Sequence, residues 1–385
     1  MKPSLRLRAA SAALIALALG LVAPALGQKL SDRTIFIVVP FTPGTLEELP
    51  ADYRQSMEGE RVSPLWPMMR NVLPHDRPNP VTKPALWSFE RIRPLLLKAG
   101  ELTPVEKAER RVLVLNDPGR GKGAMQVTSS IYVGLQLLLP GEKAPAHKHT
   151  PSAARIVVEG EGAFTIVDGE KCAMQRGDLI LTPGGMWHDH GNDGTEPVIW
   201  LDALDLPLFV FLEGSYAEEG ELQAPRNRPD ASQVEYSQPG LVPARGNGGE
   251  RRRYPLLRFP WRHTEKALRA QGEHAARGEP IELDYVNPET GDSCLPTMGF
   301  TAMMLRPNET ARPALRSSSA VFHVIEGSGR STINGESFAW KRGDTFSAPV
   351  FAKVEHVADG EAFLIRIHDA PLQQKLGFYE ERERA

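Results

Sequence analysis

Three histidines in the middle of the chain have the types and spacing of metal ligands. His147 and His149 stand two residues apart, and His188 follows in a later segment. Residues two apart in a β-strand point to the same face, so both imidazoles of the first pair can reach one point. A third imidazole from a facing strand completes the set. Imidazole binds iron, zinc, copper and nickel alike, so the three residues predict a divalent metal site without selecting the metal.

Glycine, proline and asparagine surround these histidines in the spacing of the two cupin motifs. In the first motif, five residues separate Gly141 from His147. The second motif is matched in full by Gly177, Pro183, Gly185, His188 and Asn192. Ala153 stands where the first motif usually carries a glutamate ligand. Three imidazoles would therefore leave about three of six octahedral positions open for other ligands.

Other candidate ligands are few. His190 shares the strand face of His188 but lies two residues beyond the ligand position, so we assign it a supporting or proton-transfer role. Cys172 and Cys294 show no CxxC spacing, which argues against a thiolate site and leaves open whether they pair.

Short β-rich runs separated by glycine-rich turns position these residues. The pattern holds from residue 111 to about 212 with no intervening helices, which predicts an all-β barrel or jelly roll. It returns later in the chain, where residues 324–329 echo 157–162 and residues 341–344 echo 175–178. This internal duplication predicts a bicupin, two jelly-roll β-barrels.

The predicted organisation divides the 385 residues into five parts. Residues 1–27 read as a signal peptide, 28–110 as an N-terminal helical arm, 111–216 as the metal-binding barrel, 217–260 as a linker and 261–385 as a second barrel. The second barrel carries Arg316-Ser317-Ser318-Ser319 in place of the histidine pair. His323 and His356 remain there, but two isolated histidines make a poor site, so we predict a structural role with subunit contacts.

The composition and the first residues of the chain limit its possible partners and its location in the cell. A net charge of −3 offers no basic surplus for nucleic acid. Basic residues precede an apolar run that ends in small residues before Gln28, which predicts a periplasmic or exported protein without stable membrane association after cleavage. If the natural start lies further downstream, the protein is instead cytoplasmic.

Beyond the cupin motifs, the sequence resembles the gentisate 1,2-dioxygenase family, whose relatives include salicylate and 1-hydroxy-2-naphthoate dioxygenases. The likeness covers roughly residues 63–379 and rests on Pro64-Leu65-Trp66, Pro84-Ala85-Leu86-Trp87, Glu109-Arg110-Arg111-Val112-Leu113, His147-Lys148-His149-Thr150, Val158-Glu159-Gly160-Glu161-Gly162, Trp187-His188-Asp189-His190-Gly191-Asn192 and Asn287-Pro288-Glu289-Thr290-Gly291. The resemblance implies a homo-oligomeric iron(II) enzyme. Such an enzyme inserts both atoms of O₂ between the carboxyl-bearing and hydroxyl-bearing carbons of an aromatic acid.

The resemblance also implies site residues. Arg155 is similar to the family arginine that holds the substrate carboxylate, since a guanidinium can donate two parallel hydrogen bonds. Arg111 is a second candidate, Asp202 parallels a family carboxylate, and Gln136 and Tyr132 share a strand face that would line the pocket. Two alternatives remain open: a non-catalytic exported bicupin that binds a metal or small acid, and an enzyme specific for salicylate or 1-hydroxy-2-naphthoate.

Overall fold

The computed structural model describes residues 45–226, 228–244 and 252–383. The predicted signal peptide, residues 1–27, lies outside these ranges. Two units are distinguished, residues 1–79 and 80–385. The described part of the first contains a 3₁₀ turn at Leu46–Glu48 and the helices α1 (Ala51–Gly59) and α2 (Met69–Val72). None of the helices in the described ranges combines the length and apolar character needed to cross a membrane.

The second unit contains both β-barrels and a few helices. The helices are α3 (Phe89–Leu102), α4 (Val105–Ala108), α5 (Leu206–Phe211), α6 (Ala231–Glu235), α7 (Trp261–His274) and α8 (Ala370–Lys375), with a 3₁₀ turn at Pro118–Arg120. The strands up to residue 259 are β1 (Ala85–Trp87), β2 (Val112–Val114), β3 (Tyr132–Leu138), β4 (Lys143–His149), β5 (Ala153–Glu159), β6 (Ala163–Val167), β7 (Glu170–Ala173), β8 (Leu179–Thr182), β9 (His188–Asn192), β10 (Val198–Leu204), β11 (Ala217–Gly220) and β12 (Arg258–Phe259). The later strands are β13 (Ile281–Asp284), β14 (Gly299–Leu305), β15 (Thr310–Ala311), β16 (Leu315–Arg316), β17 (Ala320–Glu326), β18 (Ser328–Ile333), β19 (Glu336–Lys341), β20 (Thr345–Ala348), β21 (Val354–Ala358), β22 (Ala362–His368) and β23 (Glu381–Arg382).

Each barrel consists of two antiparallel sheets. In the first barrel the sheet ordered β12-β8-β5-β10-β3-β2 is accompanied by the sheet ordered β11-β4-β9-β6-β7. In the second barrel the corresponding orders are β1-β20-β17-β22-β14-β13 and β15-β21-β18-β19, with β16 and β23 forming a separate pair. The predicted fold class, an all-β bicupin with helices in the N-terminal arm, is confirmed.

The two six-stranded sheets pack against each other and bury one shared core. Alternate residues of the central strands belong to this core, because side chains alternate between the two faces of a strand. Its members from the two barrels include Leu135, Leu137, Ile156, Leu201, Val321, Phe363, Ile365 and Ile367. Each fully buried side chain of this kind contributes about 1.5–3 kcal/mol relative to exposure. The opposite faces of the same strands are therefore free to line the two barrel interiors.

Two short strands are exchanged between the barrels. Strand β1, from the predicted arm, pairs with β20 of the second barrel, and β12, from the predicted linker, pairs with β8 of the first. Residues 217–260 therefore include barrel strands, since β11 also pairs with β4. These pairings could not be predicted, because strands of two to four residues are too short to show alternation.

The helices that follow the exchanged strands are held by matching turns. The Asp344 carboxylate accepts a hydrogen bond of 2.9 Å from Phe89 N at the start of α3, and Asp178 accepts one of 2.8 Å from Trp261 N at the start of α7. Gly343 (φ 88°) brings the turn against the Phe89 ring, where an added Cβ would lie 2.8 Å from the ring. The repeated Arg-Gly-Asp segments thus connect each barrel to the helix that comes from the other part of the chain.

Candidate metal centre and active site

Two neighbouring strands bring the three predicted ligands together. His147 and His149 lie on β4, and His188 begins β9, directly opposite His147. The ring centroid of His188 lies 4.2 Å from that of His147 and 4.8 Å from that of His149. The centroids of His147 and His149 are 5.2 Å apart. One nitrogen from each ring lies within 4.8 Å of the other two. A register shift between Ala144 and His147 turns the imidazoles toward a common point.

The hydrogen bonds of His149 and His188 engage Nδ1 and leave Nε2 of each ring available to bind a metal. His149 Nδ1 lies 2.7 Å from the carbonyl oxygen of Pro151, and His188 Nδ1 lies 3.0 Å from that of Met186. A carbonyl oxygen only accepts, so each Nδ1 carries the proton and each Nε2 keeps its lone pair. His188 Nε2 is buried with no hydrogen-bond partner in the described part of the chain. The donor set therefore fits a divalent metal.

Burial keeps these imidazoles neutral. It lowers the pKa of His147 to about 3, with the positive charge of Arg110 as the next cause. Burial likewise lowers the pKa of His149 to about 4 and that of His188 well below its ordinary value. Neutral imidazole is the metal-binding form, so protons do not compete for the site near neutral pH.

Arg155 lies beside the triad in a fully enclosed network. Its side chain is 3% exposed, and its Nε lies 3.2 Å from Asp202 Oδ1 on the neighbouring strand β10. Its Nη1 donates to Thr182 Oγ1, and its Nη2 lies 3.2 Å from His190 Nε2. Burial raises the pKa of Asp202, and the Arg155 charge opposes that shift. The guanidinium is thus held in place by three side chains on different strands.

His190 lies near the triad but belongs to the Arg155 network. Its ring centroid is 5.8 Å from that of His188, and its Nδ1 lies 2.9 Å from Thr165 Oγ1. Because a guanidinium only donates, His190 Nε2 accepts from Arg155 and Nδ1 carries the proton. Burial, followed by the Arg155 charge, lowers the pKa of His190 well below its ordinary value. His190 is therefore a neutral group that orients Arg155.

The remaining polar residues predicted from the resemblance line the same barrel interior. Gln136 is opposite Trp200, and Asp202 is opposite Gly134, in the pairing of β3 with β10. Tyr132 lies on the same face of β3, and burial followed by the Asp202 charge raises the pKa of its hydroxyl. An added Cβ at Gly134 would lie 2.8 Å from Tyr132 Oη. The absence of a side chain at position 134 makes room for this phenol.

The structure places Arg110 rather than Arg111 at the triad. Arg111 donates to Glu142 and lies 3.4 Å from the carbonyl oxygens of Gly100 and Thr103. Arg110 Nη2 instead donates to Pro145 O at 2.5 Å and contacts His147 Nδ1. Sequence reasoning missed this because Glu109 takes a positive φ of 53°, which breaks the alternation used to assign faces. The adjacent Arg110-Arg111 pair was the available signal.

Comparisons with known proteins agree with this geometry. Residues 134–204 match the cupin domain family. The chain is 49% identical over 342 residues to the gentisate 1,2-dioxygenase of a Ralstonia species, covering 88% of this chain and 96% of the relative. The chain belongs to the gentisate 1,2-dioxygenase family. The predicted resemblance and the predicted enzyme class, a ring-cleaving oxidoreductase, are confirmed.

Two further members of this family bear on substrate class. A 1-hydroxy-2-naphthoate 1,2-dioxygenase of a Nocardioides species is 34% identical over 315 residues and covers 80% of each chain. The crystal structure of salicylate 1,2-dioxygenase from Pseudoaminobacter salicylatoxidans with gentisate superimposes with a TM-score of 0.80 at 32% identity. It covers 87% of this chain and 93% of the relative.

Proposed function

We propose that this protein is an iron(II)-dependent dioxygenase that cleaves gentisate or a related 2-hydroxy aromatic acid with O₂. The observation that carries the proposal is the convergence of His147, His149 and His188 beside the buried guanidinium of Arg155. A metal site and a fixed cation next to each other suit a substrate that has a carboxylate and an adjacent hydroxyl.

Iron is the metal we propose for the three histidines. His147, His149 and His188 would hold iron(II), which would supply a redox-active Lewis acid for the reaction of the aromatic acid with dioxygen. The open side of a three-ligand site supplies room for both reactants, because about three octahedral positions carry no protein ligand.

The side chains around the triad supply binding and orientation. Arg155 would hold the substrate carboxylate, and the carboxylate of Asp202 together with the neutral imidazole of His190 fixes the orientation of that guanidinium. Tyr132 and Gln136 would line the pocket that receives the aromatic ring. Arg110, in contact with His147, adds a second positive charge beside the ligand set.

Oxygen consumption tests the proposal. The purified full chain is loaded anaerobically with iron(II) and mixed with gentisate in an oxygen electrode, with metal-free protein as the control. We expect one O₂ to be consumed per gentisate and the ring absorbance to disappear. If iron is bound and gentisate, salicylate and 1-hydroxy-2-naphthoate all leave the oxygen level unchanged, the protein is instead a non-catalytic bicupin that binds a metal or small acid.

A second substrate is favoured by the naphthoate and salicylate dioxygenases among the relatives. The same assay with salicylate and 1-hydroxy-2-naphthoate separates the three substrates by their kcat/KM values. Gentisate carries a second hydroxyl that donates electron density to the ring, so we expect it to give the highest value.

Homo-oligomer formation is a further part of the proposal. Val210, Phe211 and Leu212 form an exposed apolar run at the end of α5, and the Phe211 side chain is 82% exposed. Exposed apolar patches of this kind are typical of protein contacts. Light scattering of the full chain and of Phe211→Ser tests whether a larger species is lost in the variant.

Export is proposed from residues 1–27 alone. Fractionation of the producing cells followed by N-terminal sequencing tests it, with Gln28 as the expected first residue of exported protein. Recovery of the intact chain in the cytoplasm would contradict export.

A further inference from the structure

A second polar cavity lies in the other barrel, away from the triad. It has a volume of about 260 Å³ and is lined by strands β13, β14 and β22, by α8 and by the C-terminal segment. Residues that line it include Arg316, Arg366, His368, Tyr285, Gln374 and Tyr379. The predicted function of the first barrel uses none of these side chains.

Arg366 is the strongest sign that this cavity receives a ligand. Its side chain is 8% exposed, and its Nη2 donates to Thr301 Oγ1 at 3.0 Å. Its Nε and Nη1 are buried with no hydrogen-bond partner among the described residues. Leaving guanidinium donors buried and unpaired is costly, so an acceptor supplied by a ligand would stabilise this arrangement.

The carboxylates at the cavity leave Arg366 incompletely paired. Arg316 has 21% of its side chain exposed and pairs with Glu282 at 3.5 Å and with Glu381 at 3.1 Å. Arg366 is more deeply buried, and its nearest carboxylate is Glu282, 3.7 Å from Nη2. The unpaired Nε and Nη1 of Arg366 therefore favour a ligand that brings an acceptor such as a carboxylate.

His368 adds a complementary acceptor. Its Nε2 lies 3.2 Å from Thr301 Oγ1, the same oxygen that accepts from Arg366. The Thr301 hydroxyl donates its proton to Asp284 Oδ1 at 2.6 Å, so His368 Nε2 must donate to that oxygen. Burial lowers the pKa of His368 to about 3, which keeps the ring neutral. Its buried Nδ1, which has no partner in the described ranges, is therefore a free acceptor.

We propose that this cavity binds a small hydroxycarboxylate. Its carboxylate accepts from Arg366, and its hydroxyl donates to His368 Nδ1, so the ligand pairs with the unpartnered atoms of these two side chains. Binding here does not depend on the ring-cleaving reaction.

The test measures equilibrium binding of salicylate and benzoate to metal-free protein by calorimetry. A background of Arg155→Met with Asp202→Asn removes the buried ion pair of the first barrel without leaving an unpaired carboxylate. Arg110 remains beside the triad, so any binding there is the part of the signal that variants of the second cavity leave unchanged. We expect saturable binding of salicylate, and benzoate at least fivefold weaker because it lacks the hydroxyl. Absence of saturable binding overturns the proposal, and equal affinity for the two acids overturns the role of His368.

Two variants of that background identify the site. Arg366→Met removes the cation, and Gln374→Trp fills the cavity from an exposed position on α8 without altering the core. Both should weaken salicylate binding at least tenfold, whereas Arg312→Met, an exposed arginine outside the cavity, should leave it unchanged. If Arg366→Met does not fold, Gln374→Trp alone still tests whether salicylate binds in this cavity. Unchanged affinity in Gln374→Trp places the ligand elsewhere and contradicts the proposal.

Discussion

The two barrels share one framework and differ in the side chains that fill it. At the same position of each, a histidine pairs with a hydroxyl: His190 Nδ1 lies 2.9 Å from Thr165 Oγ1, and His356 Nδ1 lies 2.7 Å from Ser331 Oγ. In each barrel the strand opposite that histidine contributes an alanine, Ala144 in the first and Ala311 in the second. This correspondence fixes which residues are equivalent.

The positions of the three ligands have changed in the second barrel. Counted along the chain from the two alanines, Ala314 and Arg316 stand where the first barrel has His147 and His149. The segment predicted at these positions from the sequence, Arg316 to Ser319, is therefore two residues too far along the chain. Counted back from His356, Val354 stands where the first barrel has His188. No convergent imidazoles remain at these positions.

The central pair of interior residues has also changed. The first barrel has Arg155 opposite Asp202, whereas the second has Phe322 opposite Arg366. Phe322 stacks on Phe346 at a centroid distance of 5.0 Å. It also packs edge-to-face against the His356 ring, with the two centroids 5.0 Å apart. Aromatic rings fill the space that polar groups occupy in the first barrel. The jelly roll therefore determines where side chains point, while a few interior positions determine whether the barrel can hold a metal.

Loss of a ligand should have the largest effect. His149→Ala removes one of three imidazoles, so bound iron and turnover should fall by more than about 100-fold, which exceeds the usual cost of altering a residue that supports a ligand. The control is His356→Ala, which changes the residue of the second barrel that corresponds to His190. This variant should keep both its bound iron and its turnover. Iron content and oxygen uptake measure this, and a fully active His149→Ala would remove that residue from the ligand set.

Loss of the central ion pair should come next. Arg155→Met leaves Asp202 buried and unpaired, which should lower the free energy of unfolding by about 3–5 kcal/mol. Substrate affinity should fall with it, seen as a KM that rises much more than kcat falls. The double variant Arg155→Met with Asp202→Asn should regain stability without regaining affinity. Unchanged KM in Arg155→Met would reassign the carboxylate-binding role.

The helix-capping aspartates should differ between the two barrels. Asp178→Ala and Asp344→Ala each remove an acceptor for the first backbone amide of a helix, which should cost about 0.5–2 kcal/mol in denaturant unfolding. Asp178→Ala should cost more than Asp344→Ala, because it also removes the buried carboxylate that lies 2.7 Å from Arg258 Nη2. Neither residue contacts the triad, so iron content should stay the same. A loss of iron in Asp178→Ala alone would show that this turn also shapes the metal site.

The pH dependence of iron binding should be the smallest effect. Since the pKa values of His147 and His149 are lowered to about 3 and about 4, protons compete for these rings only in that range. Apparent affinity for iron(II) should therefore stay nearly constant between about pH 8 and pH 5. An affinity that falls steadily below pH 6.5, the ordinary value for histidine, would contradict neutral buried ligands.

Much of this architecture could be predicted from the sequence. Local patterns can be recognised directly in a sequence. Two such patterns are the spacing of His147, His149 and His188 and the repeated Arg-Gly-Asp turns. The exchange of β1 and β12 could not be predicted, because pairing of two- and three-residue strands depends on contacts distant in sequence. The choice between Arg110 and Arg111 depends on one positive φ at Glu109, which no periodicity reveals.

The direct test of the central claim is a crystal structure of protein loaded anaerobically with iron(II), with anomalous diffraction recorded at the iron edge. We expect one peak per chain, bonded to nitrogens of His147, His149 and His188. A peak near His323 or His356 in the second barrel, or no peak between the three rings, would contradict the account.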